Sequence, residues 1–270
     1  MKASSSGVDS DGTAGPVGTS GIYARSLGAF YGRHRVIDRI DFSAQPGTGV
    51  AIMGRNGVGK TTLLRALVNG FGVRVVGEVS IDGSRTESMS CDRVIRDHRV
   101  AFVPDDRRIF PLTVMENLRV AALSAKDWAE QADRVLGYFP FLKDHTSQLA
   151  TTLSGGEQQA LAIARAAMGS PRYLLLDEPC EGLAPIAMQN LVDGVIDLRR
   201  ELGCTVVLVE RNMRIIEALC SEAYGMSAGS VIWKGAVHEL LDDSSLLDHL
   251  LHPAASKYSN TIAEGEERPT

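Results

Sequence analysis

The feature that most constrains this chain is a glycine-rich segment at residues 54–61 (GRNGVGKT), called the P-loop below. It follows a short apolar run at 49–53 (GVAIM), typical of a buried strand, and precedes a helical pattern that begins at Lys60. In the order strand, glycine loop, helix, backbone N–H groups curl around a phosphate group and the helix adds its positive end. The alternative is an ordinary glycine-rich turn before a helix.

Two side chains of the P-loop carry the predicted chemistry. Lys60 is expected to reach the β- and γ-phosphates of a nucleotide. The Thr61 hydroxyl is expected to bind Mg²⁺. The segment therefore predicts a site for a nucleotide with its metal ion.

Composition excludes several classes of protein. The chain has 270 residues, of which 44% are hydrophobic, and this is enough for one large or two small domains. Its net charge is -5, and the sequence has no basic stripe that would indicate a nucleic-acid partner. The four cysteines are scattered without metal-ligand spacing, which favours a reduced, cytosolic compartment. No apolar run approaches the roughly 18 residues of a membrane span, so a membrane role would require a partner.

The chain is predicted to have one folded domain with polar ends. Residues 1–20 and 253–270 are expected to be a disordered leader and tail, because their polar composition cannot offset the entropy of ordering. The domain is then 21–252. Helical periods from 113 to about 125 and from 127 to 139, with Thr113 and Asp127 as caps, indicate a helical subdomain of about 113–165.

A second helix start carries an anion-binding pattern. Residues 153–159 (LSGGEQQ) lead into an alanine-rich helical stretch. Ser154 is predicted to cap this helix, and the N–H groups at its start can bind an anion. A well-capped helix without a ligand is the alternative.

A pair of carboxylates follows a third apolar run. Residues 173–176 (YLLL) read as a buried strand that ends in Asp177 and Glu178, and Pro179 fixes the exit. Ligands of open α/β sheets lie at the carboxyl ends of strands, so both acids are expected near the P-loop. Asp177 would support Mg²⁺ and Glu178 would polarise a water molecule. The alternative is two solvated acids in a turn.

Taken in order, the P-loop, the Ser-Gly-Gly turn and the Asp-Glu-Pro segment resemble the ATP-binding cassette ATPases over about residues 21–240. Residues 107–118 (RRIFPLTVMENL) and 181–185 (EGLAP) are similar to the ATPase subunits of branched-chain amino acid importers, whose relatives carry urea and short amides. The resemblance implies an α/β fold: a RecA-like P-loop NTPase core with an antiparallel β-subdomain and an inserted α-helical subdomain.

The resemblance also implies a set of site residues. Tyr31 would stack on adenine, and Ser154, Gly155 and Gly156 would close on the nucleotide of a second cassette. Glu178 would be the catalytic carboxylate, beside Lys60. The implied nucleotide-binding positions are Tyr31, Gly54, Asn56, Gly57, Gly59, Lys60, Thr61, Thr62, Ser154, Gly155 and Gly156.

Two positions depart from the family pattern. Asp105 stands where most cassettes have Gln, and as a shorter side chain it would reach Mg²⁺ through water. Arg211 stands where most have a switch His. A guanidinium cannot act as a base, but it could stabilise phosphate charge as a catalytic arginine, and a solvated loop charge is the alternative.

The function implied is an ATPase that drives a membrane importer. Closure of the dimer on ATP would change the conformation of the permease subunits. The chain would lie on the inner face of the cell membrane, and its partner in the dimer would be a second cassette, identical or different. Phe110 and Pro111 are the predicted permease contacts. Two alternatives are a regulatory cassette that clamps ATP with weak hydrolysis, and a soluble cassette protein without a transport role.

Overall fold

The computed structural model describes residues 20–122 and 126–251. Three predicted segments lie wholly or partly outside these ranges: the tail at 253–270, all but one residue of the leader at 1–20, and the end of the predicted helix at 123–125. The domain boundaries therefore stay a prediction.

The described residues alternate between strands and helices. The strands are β1 (Ile22–Tyr31), β2 (His34–Ala44), β3 (Gly49–Gly54), β4 (Arg74–Ile81), β5 (Ser84–Arg85), β6 (Val100–Val103), β7 (Tyr173–Asp177), β8 (Thr205–Val209), β9 (Glu222–Ser227) and β10 (Ser230–Ala236). The helices are α1 (Lys60–Leu67), α2 (Cys91–Asp97), α3 (Val114–Ala121), α4 (Trp128–Tyr138), α5 (Gly155–Ala167), α6 (Pro185–Leu202), α7 (Met213–Leu219), α8 (Val237–Asp242) and α9 (Ser244–Leu251).

A six-stranded sheet forms the centre of the core, in the order β10-β9-β3-β8-β7-β6. All neighbours from β9 to β6 are parallel, and the β9–β10 hairpin is antiparallel. Every residue of β3, β7 and β8 is buried. This explains why these strands are continuous apolar runs rather than alternating ones. The carboxyl ends of β3, β7 and β8 therefore lie side by side.

The two faces of this sheet belong to two hydrophobic clusters. Val50 and Ile52 pack with α1 and the strands β1, β2 and β4. Ala51 and Met53 pack on the opposite face with the helices α3 to α7. Alternate residues of one buried strand thus tie the two halves of the domain together.

A smaller antiparallel sheet, in the order β2-β1-β4-β5, covers the α1 side of the core. Its inward residues Leu27, Ile37 and Val79 share a cluster with Leu63 and Leu64 of α1. The antiparallel β-subdomain predicted from the family resemblance is therefore present.

A helical insertion lies between β6 and β7 and comprises α3, α4, two short 3-10 turns at 140–145 and 150–152, and α5. Thr113 caps α3, as predicted, and it forms a capping box with Glu116. Asp127 stands at the N-cap of α4, as predicted. With a φ of -110° and a ψ of 11°, however, its side chain makes no capping hydrogen bond.

Three helices have no counterpart in the sequence prediction: α2, α8 and α9. Each has at most eight residues, too few for a clear period. Packing stabilises α9, whose Leu250 is 1% exposed and sits against Gly225 of β9. None of the helices in the described part of the chain is long and apolar enough to cross a bilayer.

The contact between α6 and α4 predicts a measurable effect of a small substitution. A Cβ at Gly194 would collide with the Phe139 ring and lie 2.7 Å from the Tyr138 carbonyl oxygen. We expect Gly194→Ala to lower the free energy of unfolding by about 1–3 kcal/mol, measured by urea denaturation. The matched control is Gly137→Ala, where the added Cβ meets nothing within 4 Å. The control should unfold at the same or a higher urea concentration, and equal losses in both variants would contradict the packing argument.

Candidate functional site

The P-loop has the backbone shape that its glycines allow. Gly54, Gly57 and Gly59 have φ values of 145°, 78° and 106°, in the region that side chains disfavour. A Cβ at Gly54 would also collide with the carbonyl oxygen of Met226. Asn56 is exposed within the loop. The segment thus curls between β3 and α1 as predicted.

Lys60 is held inside this curl. Its side chain is 4% exposed, and Nζ donates hydrogen bonds to the carbonyl oxygens of Gly54 and Arg55, each at 3.0 Å. Nζ also forms an ion pair of 3.2 Å with Oε1 of Glu178. The two predicted catalytic groups, 118 positions apart in the chain, are therefore in direct contact.

Thr61 and Asp177 form the second contact between the P-loop and β7. The Thr61 hydroxyl donates a hydrogen bond of 3.0 Å to Oδ1 of Asp177. Asp177 is fully buried, and burial raises the pKa of its carboxyl to about 6, helped by the negative charges of Asp105 and Glu178. The Thr61 hydrogen bond and the Arg65 guanidinium oppose this rise of the pKa. Asp105 is exposed in the loop after β6, and its negative charge is one of the causes of the raised pKa of Asp177.

The donor set fits a magnesium ion. Oδ2 of Asp177 is buried and has no hydrogen-bond partner among the described residues. An unpaired carboxylate oxygen beside a threonine hydroxyl is a hard, oxygen-only set, of the kind that Mg²⁺ uses together with phosphate and water. No group of three His, Cys, Asp or Glu side chains in the described ranges could hold a metal ion alone. The fit is thus to a metal that enters with a phosphate ligand.

Glu178 is held by its backbone as well as by Lys60. Its φ is 45°, unusual for a residue with a side chain, and its N–H donates a hydrogen bond of 2.9 Å to the carbonyl oxygen of Val209 in β8. The side chain is 15% exposed. Strained backbone of this kind is often found at functional sites, where the surrounding structure compensates its cost.

Arg211 lies at the same edge of the sheet, but it contacts a carboxylate rather than the P-loop. Its Nη2 pairs with Oε1 of Glu181 at 3.3 Å, and 41% of its side chain is exposed. Its backbone N–H donates to Glu210 Oε1 at 2.7 Å. Arg211 is thus an exposed loop cation paired with Glu181, and its predicted role in stabilising phosphate charge stays a prediction.

Glu210 is a residue to which the sequence analysis gave no role. It follows β8, is 7% exposed, and its Oε1 accepts hydrogen bonds from the backbone N–H groups of Arg211 and Asn212. Burial raises the pKa of its carboxyl, and Oε2 has no partner within the described ranges. The rule that placed Asp177 at a strand end applies equally to Glu210 and could have found it.

Tyr31 and Thr62 border the same region. Tyr31 ends β1, and its hydroxyl accepts a hydrogen bond of 3.2 Å from Arg65 of α1. Thr62 is buried on α1. The tyrosine ring is thus anchored to the helix that begins at the P-loop.

The Ser-Gly-Gly turn is on the helical insertion. Ser154 caps α5, as predicted, and it also forms a capping box with Glu157. Ser154 and Gly155 are exposed, and Gly156 is buried because α5 and α6 approach closely there. The hydrogen bonds of Ser154 are with its own helix, to Glu157 and Gln158. The structure therefore brings Lys60, Thr61, Asp177, Glu178 and Asp105 together, but it does not bring the Ser-Gly-Gly turn into that group.

The buried charge of Asp177 leads to a pH-dependent prediction. Because the folded chain has the higher pKa, ionised Asp177 costs stability above pH 6, and this cost shrinks as the pH falls toward the ordinary value of 3.8. We expect Asp177→Asn to raise the free energy of unfolding of the nucleotide-free chain by about 1–3 kcal/mol at pH 8 and by progressively less below pH 6. Urea denaturation across this pH range measures the difference. A gain that does not depend on pH would contradict the assignment.

A model of the ABC transporter family matches residues 37–181, which is more than half of the chain. The high-affinity branched-chain amino acid transport ATP-binding protein BraG of Pseudomonas aeruginosa is 37% identical over 83% of this chain and 97% of its own length. The probable branched-chain amino acid transport ATP-binding protein LivF of Archaeoglobus fulgidus is 33% identical over 80% of this chain and 92% of its own length.

Solved structures agree on the fold. A nucleotide-free ATP-binding cassette from an ABC transporter superposes with a TM-score of 0.73 at 21% identity, over 86% of this chain and 98% of that one. A dimeric cassette in a post-hydrolysis state, bound to ADP and Pi, gives a TM-score of 0.71 at 24% identity, over 80% and 98%. The predicted fold class and family resemblance are confirmed. The chain belongs to the ABC transporter family, as one of its ATP-binding cassettes.

Proposed function

We propose that this chain is the ATPase subunit of an importer for branched-chain amino acids or related small solutes. The observation that carries the proposal is the pair of contacts at one sheet edge, Lys60 with Glu178 and Thr61 with Asp177. The lysine ammonium and the carboxylate meet beside the P-loop, which supports a phosphate-binding role for Lys60 and a general-base role for Glu178.

The residues have separate roles in hydrolysis. Lys60 moves from Glu178 to the β- and γ-phosphates, where it stabilises negative charge. Glu178, freed from the lysine, accepts the proton of the attacking water. Thr61 and Asp177 would hold Mg²⁺, with Asp105 acting through water, and the ion supplies neutralisation of phosphate charge. Tyr31 stacks on the adenine ring.

The second half of each site comes from another cassette. Ser154 and Gly155 are exposed at the start of α5, where helix N–H groups favour an anion. They are well placed to close on the γ-phosphate held by the P-loop of a second subunit, identical or different. The dimeric cassette with ADP and Pi among the similar structures supports this arrangement.

A permease partner fits a groove beside the helical insertion. The groove measures about 510 Å³ and lies along β6, between α2 and α5. Phe110 stands next to it: 43% of this residue is exposed, and its ring centre lies 4.8 Å from the guanidinium of Arg165, which lines the groove. The Asn117 side chain fixes the Phe110 backbone: it accepts a hydrogen bond from the Phe110 N–H and donates one to the Phe110 carbonyl oxygen. A permease helix docked here would hold the chain against the membrane, on the inner face in the arrangement that we propose.

The supported solute class comes from the relatives. BraG and LivF are both named for branched-chain amino acid transport, and MetN proteins for methionine import are 33% and 30% identical. The permease and not the cassette contacts the solute, so the names support a class of importer rather than a single solute.

Glu178→Gln tests the proposed reaction. Because an amide cannot accept the water proton, we expect kcat for ATP hydrolysis to fall about 10²-fold to 10³-fold with nucleotide affinity retained. Steady-state hydrolysis by the purified chain with Mg²⁺ measures the rate, and a fluorescent ATP analogue measures binding. Lys60→Ala should lose both. Glu217→Gln, at an exposed position on α7, is the matched control and should change neither. Undiminished turnover in Glu178→Gln would refute the role of Glu178.

Phe110→Ala tests the docking groove. Truncation of a central aromatic contact commonly costs about 1–2 kcal/mol of binding free energy. We therefore expect the variant to reduce solute uptake several-fold in vesicles that contain the whole transporter. Basal ATP hydrolysis should change less. Val120→Ala, 59% exposed on α3 of the same insertion, is the control. Coupled uptake that is equal in the two variants would rule out Phe110 as a permease contact.

A further inference from the structure

A group of aromatic and guanidinium side chains lies beside the helix that begins at the P-loop. It is called the Arg65 cluster below and consists of Tyr31, Arg65, Phe71, Phe102 and Arg108. Arg65 donates a hydrogen bond of 3.2 Å from Nη1 to the Tyr31 hydroxyl, and its guanidinium carbon lies 5.8 Å from the centre of the Phe71 ring. Arg65 thus connects the predicted base-stacking residue to a second aromatic ring.

Tyr31 stands at a place where the sheet alone does not fix the direction of its ring. It ends β1, just before the turn into β2, and the register of the two strands shifts nearby, between Ala29 and Phe30. The ring is half-buried and packs against the hydrophobic cluster on the α1 side of the sheet. Apolar packing has no preferred direction, whereas a hydrogen bond has one. The bond from Arg65 is therefore the contact that selects one orientation of the ring.

Arg65 makes this bond from a rigid element. It belongs to α1, about 7 Å along the helix axis from Lys60. Its Nε is buried and has no hydrogen-bond partner among the described residues. A buried donor without a partner lowers stability, so this guanidinium is not placed to satisfy its own hydrogen bonds. Its position favours the contacts with the tyrosine and with Phe71 instead.

Phe71 adds the second contact of Arg65 and has an unusual backbone. Its φ is 61°, a value that is strained for a large side chain, and a glycine at this position would avoid the strain. The Phe71 ring packs on Phe102 with 4.8 Å between ring centres, and it also lies 5.6 Å from the guanidinium of Arg108. The strained residue thus provides an anchored ring against which a guanidinium is held by a cation–π contact.

We propose that Arg65 is a positioning residue for Tyr31, and that it raises the affinity of the site for the base of the nucleotide rather than for its phosphates. The hydrogen bond holds the tyrosine ring, before the nucleotide arrives, in the orientation in which its face meets the adenine ring. Ordering the ring in advance removes an entropic cost from binding. The inference rests on the stacking of Tyr31 on the base under the proposed function.

Titration calorimetry on the purified chain with Mg²⁺ tests this role with two ligands. One is ATP, and the other is inorganic tripolyphosphate, which has three phosphates but no base. Tyr31→Phe keeps the stacking ring and removes only the hydroxyl, and Arg65→Met removes the donor. Each variant should bind ATP about 3-fold to 10-fold more weakly, because the ring must then be ordered during binding. Both should bind tripolyphosphate as the parent chain does.

A double-mutant cycle and a matched control complete the experiment. The Tyr31→Phe, Arg65→Met double variant should bind ATP as weakly as either single variant, because both changes remove the same hydrogen bond. Arg74→Met is the control. It removes another guanidinium that lies 4.2 Å from an aromatic ring of the β-subdomain, that of Phe30, and it should change neither affinity.

The outcomes separate this inference from the proposed function. Unchanged or tighter ATP binding in Tyr31→Phe, additive losses in the double variant, or an equal loss of tripolyphosphate binding would each overturn the role of Arg65. Unchanged ATP binding in Tyr31→Ala would show that the base does not stack on Tyr31, and both the proposed stacking and the inference would fail. The readout is binding, so the role of Glu178 in turnover is tested independently.

Discussion

The balance of charge at one edge of the parallel sheet is the constraint on which this site depends. β3, β7 and β8 end side by side, and the chain places Lys60 after the first, Asp177 and Glu178 at the end of the second, and Glu210 after the third. Three acids in so small a space require compensation. Lys60 supplies it for Glu178, through an ion pair that a phosphate group would displace. Nucleotide entry therefore rearranges charges that the fold has already brought together.

The hydrophobic core gives this edge its rigidity. Strands buried on both faces cannot shift without exposing Val50 or Ala51, which belong to opposite clusters. By contrast, the Ser-Gly-Gly turn is carried by the helical insertion, which contacts the parallel sheet mainly where α5 packs on β6. The P-loop and the carboxylates thus form one fixed unit, and the second phosphate-facing element sits on a separate layer.

Local signals in the sequence were sufficient for the parts that need few distant contacts. The run into Gly54, the cap at Thr113 and the cap at Ser154 each carry their own strand or cap signal, and all three are confirmed. The helices α8 and α9 were missed because they depend on packing, as Leu250 does on Gly225. The pairing of Arg211 with Glu181 was not predictable from local pattern. The two residues are 30 positions apart, and their contact depends on how the ends of β7 and β8 are aligned.

The hydrogen bond from the Glu178 N–H to the Val209 carbonyl oxygen continues the β7–β8 ladder one residue past Asp177. It fastens the backbone of Glu178 to the strand that leads directly into Glu210 and Arg211. The main chain of Glu178 and the loop after β8 therefore share one point of attachment, so the position of the carboxylate beside the P-loop depends on how β7 is aligned with β8 as well as on its own side-chain contacts.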